Sequence, residues 1–315
     1  MIRQFFQRLL TSIPVLFGVL LIGFAMLQVI PTDPATVISG PTGTAEEIAV
    51  IRRQLGLDQP LWVQFWLYVS RVAQGDLGRS IINNAPVARE LMTAMVPTLE
   101  LMFMSLVWAV PLGILLGTVA ATRRGRLFDR AVMALSVAGV SVPVFWIGLL
   151  LLQFAAFRWQ LFPLQGRGGP LWTLAGLRHI ALPAITLGVM FIGPVARMTR
   201  TTVVEALNAD FVRTARAKGA GEFQVVTRHA LRAALIPIVT LIGLQIGSLL
   251  GGAVITETIF AWPGIGRLAV GAIVSSDFPM AQGTILLMAL GFIIVNFIVD
   301  LLYGVLDPRV RSGPK

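Results

Sequence analysis

Apolar residues arrive in blocks near the length of about 20 that lets a helix cross a bilayer, and basic residues gather in the gaps between them. The blocks fall at about 9–30, 97–121, 131–157, 181–198, 236–255 and 283–302. Only 13% of the residues are charged and 56% are hydrophobic, against about 25% and 45–50% in soluble domains. So little charge cannot clothe a water-soluble body. A chain in lipid must satisfy its backbone hydrogen bonds within each segment. The expectation is an all-α membrane protein with six transmembrane helices.

The first block follows Arg3 and Arg8 and runs into Gln28-Val29-Ile30-Pro31. It is longer than the apolar core of a signal peptide, about 7–15 residues, and lacks a small-residue cleavage site; a retained span is expected. Three parts follow: residues 1–30 as N-terminus and first helix, 31–96 as a long extramembrane segment, and 97–315 as a five-helix core. In the long segment Trp62, Phe65, Trp66 and Val69 recur at the period of one helix face. That stripe suits a helix lying on the bilayer surface and equally a small packed subdomain. Pro143 interrupts the third block, a break that membrane helices tolerate when neighbours satisfy the freed carbonyl. Trp159 and Trp172, in the Gly-rich loop after it, suit the interface belt.

Six spans put both termini on one side. That side would carry sixteen of the 25 Lys and Arg residues, which the positive-inside bias assigns to the cytoplasm. The residues 31–96 would then face outward. This patterning also explains the net charge of +10 without nucleic acid. With no cysteine and two histidines, His179 and His229, thiolate chemistry is excluded and a multi-histidine metal centre is not expected. No H-E-x-x-H and no G-x-x-x-x-G-K-[ST] occurs, so neither a zinc protease nor a phosphate-binding ATPase loop is encoded. No cofactor is expected to bind directly.

The most informative segment is polar and interrupts the spans at about 199–235. It reads Asp210-Phe211-Val212-Arg213-Thr214-Ala215-Arg216-Ala217-Lys218-Gly219-Ala220-Gly221-Glu222-Phe223. Two short helices hinged at Gly219 and Gly221 are expected, because glycine permits the positive-φ corner. Asp210 is placed to cap the first. Phe211 and Ala215 would share one docking face, and Phe223, Val226 and Ala230 another. The segment is too polar for lipid and too apolar on one side to be merely solvated. Its cations, with Arg228 and Arg232, suit an acidic partner or anionic lipid. Elsewhere Glu100 and Asp300 lie at span edges, within reach of headgroups. Gln153, Gln245 and Asn296 are mid-span polar groups suited to helix–helix hydrogen bonds. Trp262 and Pro263 suit either an outer gate or an interface turn.

This segment resembles the cytoplasmic coupling motif of ABC importer permeases, in the version used by the dipeptide/oligopeptide/nickel family. The general importer pattern is Glu-Ala-Ala, three residues, then Gly; here Arg213-Thr214-Ala215 precedes Gly219, as in the peptide-type variant. Leu55-Gly56-Leu57-Asp58-Gln59-Pro60-Leu61, Gly75-Asp76-Leu77-Gly78-Arg79-Ser80, the run from Glu257 to Leu268, and Leu306-Asp307-Pro308-Arg309-Val310-Arg311 resemble further stretches of that family in order. The resemblance implies a type I importer permease fold in the bacterial inner membrane. It implies a second homologous permease subunit, two ATP-hydrolysing subunits and an extracytoplasmic binding protein. Asp210, Phe211, Arg213, Thr214, Ala215, Arg216, Lys218, Gly219, Glu222 and Phe223 would form the coupling loop. The cargo implied is a di- or oligopeptide, with nickel or another small solute as the alternative.

Overall fold

The computed structural model describes residues 2–29, 34–40, 43–54 and 56–306. Leu55, Pro31 and the tail from Asp307 lie outside them, as does the side chain of Asp300. The described chain is helical: α1 Ile2–Val29, α2 Pro34–Ser39, α3 Ala45–Gln54, α4 Leu61–Ala73, α5 Val87–Thr122, α6 Leu127–Ser141, α7 Val144–Leu151, α8 Leu174–Leu207, α9 Asp210–Ala217, α10 Glu222–Gln224, α11 Leu231–Ile259, α12 Ile265–Val274 and α13 Phe278–Leu306. Wider π turns, Leu152–Arg158 and Val225–Ala230, extend α7 and join α10 to α11.

Four helical stretches among the described residues are long and apolar enough to cross a membrane: Val87–Thr122, Leu174–Leu207, Glu222–Ile259 and Phe278–Val299. Leu127–Gly139 and Val144–Arg158 make a fifth if counted together, bent by 100° at the break. Pro143 precedes α7 in extended conformation, and a proline N–H is missing where the preceding helix would need it. In α1 the apolar portion is Ser12–Ala25. The helix expected to begin at Pro97 begins instead at Val87, so ten residues read as loop belong to it.

The chain divides into two compact units, residues 1–97 with 263–293 and residues 98–262 with 294–315. In the first, the aromatic stripe on α4 splits. Phe65 is buried and meets Phe17 and Phe24 of α1 edge-on, with ring centroids 5.6 and 5.5 Å apart. Trp62 and Trp66 stay exposed. A second core joins Val87 and Leu91 to Ala272, Met280 and Ala281. Buried Asp277 accepts hydrogen bonds from the Ser80 hydroxyl, from the Ile81 N–H at 3.2 Å and from the Met280 N–H at 3.4 Å. It therefore caps α13 while tying down the 80–81 turn.

In the second unit α8 is central: 61% of its apolar window is buried, against 28% for Val87–Thr122 and Glu222–Ile259. Leu101, Leu187, Phe191, Leu249 and Trp262 form its main core. Gly113 and Gly117, four apart on α5, let the α8 backbone come close. A Cβ on Gly113 would sit 2.9 Å from Val195, and one on Gly117 would collide with the Ala196 carbonyl. This small-residue face is how helices pack tightly in lipid, where apolar burial supplies no drive. Polar links reinforce the unit. The Thr98 hydroxyl donates to buried Glu257 at 2.6 Å. Arg200 donates twice to Asp129, at 3.0 and 2.8 Å, joining α8 to the start of α6.

Candidate functional site

The polar loop opens where α8 ends at Leu207. Ala209, in extended conformation, precedes α9, and no side chain caps it. Asp210 is thus not the cap expected from the sequence. It occupies the first turn, where a carboxylate favours the helix N-terminus, and its Oδ1 accepts from Arg213 Nη1 at 3.4 Å. That exposed pair contributes little. The Thr214 hydroxyl donates back to the Asp210 carbonyl at 3.0 Å.

α9 ends at the glycine corner. Gly219 has φ +84° with nothing near its absent Cβ, so backbone conformation and not space selects glycine there. Gly221 differs: its φ is −68° in extended conformation, and any residue can adopt that. One hinge is present instead of two. The second short helix expected from the sequence is also not separate. From Glu222 the chain passes through the π turn straight into α11. The corner is the start of a membrane-crossing rod.

Across the corner Arg216 donates to Glu222 from Nε at 2.7 Å and from Nη2 at 3.1 Å. This is the two-pronged geometry in which guanidinium and carboxylate match best. Glu222 lies well ahead of the apolar stretch of α11, and the Arg216 hydrogen bond holds its carboxyl below the usual carboxylate range. Beneath the corner Val212, Ala215, Val225 and Ala230 are buried, and α9 rests on the π segment.

That burial corrects the expected docking faces. Ala215 is 7% exposed and Ala230 is fully covered, so neither lies on an open apolar face of the loop. The apolar groups left outside are Phe211 at 45% and Phe223 at 83% exposure. Arg213 and Lys218 are exposed, as are Arg228 and Arg232. The Arg216–Glu222 clamp was not read from the sequence. A basic and an acidic residue flanking Gly219 were the available signal, but the i, i+6 spacing belongs to no regular helix face.

The other candidates resolve individually. Glu100 is engaged by Arg167 through bonds of 2.9 and 2.6 Å. His179 Nδ1 donates to the Ala175 carbonyl at 2.8 Å. Trp262 is fully buried in the core, while Pro263 beside it is exposed. Gln245 has a buried amide nitrogen without a hydrogen-bond partner; Gln153 is exposed and Asn296 half-buried. Among the described residues no group of three or more His, Asp or Glu side chains converges as a metal site.

Comparisons with known proteins meet this geometry. Residues 109–312 match the model of the binding-protein-dependent transport system inner membrane component, and residues 1–102 match the N-terminal model of such membrane components. The chain is 45% identical over 311 residues, 99% of each chain, to the glutathione transport system permease protein GsiC of Escherichia coli O6:H1 strain CFT073. It is 44% identical over the same share to the protein of that name from E. coli strain K12. A solved structure of the MetNI methionine ABC transporter, in inward-facing conformations, aligns with a TM-score of 0.52 at 20% identity. The match covers 70% of this chain and 96% of that one, and it supports the fold alone.

The chain belongs to the binding-protein-dependent transport system inner membrane components, the permease subunits of ABC importers. It is a multi-pass inner-membrane protein and, as a permease, a non-catalytic one.

Proposed function

We propose that this permease carries short peptides into the cell, of the size and chemistry of glutathione. The observation that carries this reading is the 44–45% identity to glutathione permeases along 99% of both chains. The chain crosses the membrane six times with both termini in the cytoplasm, which puts the Gly219 corner on the cytoplasmic side and α4 outside. Two such permeases form the pathway, a binding protein delivers cargo from outside, and separate ATPases hydrolyse ATP.

The corner Asp210–Phe223 is the handle of those ATPases. Exposed Phe211 and Phe223 insert into the motor subunit, with Arg213 and Lys218 on the rim. Because Glu222 begins the rod that continues as α11, displacement at the corner is transmitted to a span without an intervening flexible joint. This is a rigid-body route to alternating access.

The experiment is uptake by the complete transporter reconstituted in vesicles with ATP inside the motor compartment. Labelled glutathione should accumulate, and unlabelled di- and tripeptides should compete. Uptake of nickel or another small solute, with none of glutathione or short peptides, overturns the cargo assignment.

A further inference from the structure

The first unit holds a cavity of about 590 Å3 between α1, α4, the 76–84 turn and the start of α13. That volume lies within the roughly 300–1,000 Å3 of small-molecule sites. It is lined by two guanidinium groups, Arg71 and Arg79, and by one carboxylate, Asp76. Phe24, Leu77 and Phe278 supply apolar wall.

Several of these groups are held but not used up. Arg79 Nη1 donates to the Asn84 carbonyl at 2.6 Å, which fixes the side chain and leaves its other N–H groups. Asp76 Oδ1 accepts from the Gly78 N–H at 2.9 Å, leaving Oδ2. Gln64 Nε2 donates to the Leu57 and Gln59 carbonyls, leaving its own carbonyl oxygen as an acceptor. Among the described residues neither the Arg71 guanidinium nor the Tyr68 hydroxyl makes a hydrogen bond. Burial pushes the Tyr68 phenol up to about 12, so it remains a donor throughout the physiological range.

We infer that this cavity binds a short peptide with two carboxylates and one free amino group. Arg71 and Arg79 take the carboxylates, Asp76 the ammonium, and Tyr68 and Gln64 a peptide group between them. The inference rests on the peptide reading above and adds a second place for the cargo, outside the core around α8. Two cations against one anion match such a peptide in charge number and sign. Guanidinium binds carboxylate with both strength and fixed geometry. A lipid phosphate is the other anion able to use the guanidinium pair.

The test is glutathione binding to the purified full-length permease in detergent, followed by calorimetry. The chain has no cysteine, so the signal cannot come from mixed-disulfide formation. Saturable binding is expected, weakened at least about tenfold by Arg71→Gln and again by Asp76→Asn. The second change keeps the turn, since an Asn oxygen also accepts from Gly78. The diester of glutathione, with both carboxylates masked, should not bind. Absence of saturable binding, or equal binding by Arg71→Gln, overturns the site while peptide uptake by the complete transporter leaves the transport reading standing. Phosphatidylglycerol retained by the wild type, lost from Arg71→Gln and indifferent to glutathione overturns the peptide assignment in favour of lipid. Absence of any peptide uptake by the complete wild-type transporter removes the reading beneath the inference, and the inference with it.

Discussion

Arg216 and Glu222 clasp each other through two hydrogen bonds, 2.7 and 3.1 Å long, across a corner whose apex is Gly219 at φ +84°. A clasp between the end of α9 and the start of the rod makes the corner one body. Besides the clasp, the corner is held by the Ala220 N–H donating to the Ala215 carbonyl at 3.1 Å and by the packing of α9 on the π segment.

Glu222→Gln should therefore leave insertion and expression unchanged and lower the uptake achieved per ATP hydrolysed. The pH dependence follows from the lowered carboxyl of Glu222. The clasp is complete above the ordinary carboxylate range and is lost as pH falls through the lowered value. Limited proteolysis of the corner should show protection at neutral pH that weakens as pH falls through that lowered value. In Glu222→Gln the cleavage rate should not change with pH over that interval.

Gly219 and Gly221 should behave oppositely. A side chain at positive φ costs roughly 1–2 kcal/mol, least for Asn and most for β-branched residues. Coupled uptake should fall in the order Gly, Asn, Ala, Val at position 219, by about tenfold at the far end. Gly221→Ala should be close to neutral, since its φ of −68° is ordinary. Equal losses at the two positions would show that the corner is not set by backbone conformation.

Gly117→Leu tests the packing of α5 on α8. The added atoms meet the Ala196 carbonyl and Thr199, and overpacking of this kind costs about 1–3 kcal/mol. The melting temperature of the purified protein in detergent should drop. Gly139→Leu, where the Cβ position is open, is the matched control and should melt as the wild type does.

Asp129→Asn removes one partner of a mostly buried ion pair, with side-chain exposures of 5% for Asp129 and 27% for Arg200. Leaving a partly covered guanidinium unpaired should destabilise by on the order of 2–3 kcal/mol, read as a lower melting temperature in detergent. Adding Arg200→Met to the same chain should recover part of that loss.

Local pattern and long-range pairing were not equally legible in the sequence. The apolar blocks mark where the helices run, because a span must be apolar over its own length whatever it touches. The polar loop and its Gly219 corner stand out for the same local reason. Glu100 read as a group reaching for headgroups because its partner Arg167 is 67 residues away. The burial of Trp262 was not legible because nothing adjacent in sequence announces Leu101, Leu187 and Leu249, with which it shares a core. Ala215 read as a docking residue because periodicity identifies an apolar face without saying what covers it; here α9 packs on the π segment Val225–Ala230. Val87 as the true start of α5 was hidden by Arg89 and Glu90, whose charge suggested loop.

The central claim is that the Asp210–Phe223 corner is gripped by a motor subunit. The chain has no native cysteine, so a single cysteine in place of Phe223, the most exposed apolar residue of the corner, can be labelled in the purified chain with a photo-activated cross-linker at that one position before assembly with the other subunits. In membranes containing the working transporter, the adduct should be the ATPase subunit, and its yield should change when ATP is added. Adducts of lipid alone, with the ATPase present and hydrolysing, would contradict the account.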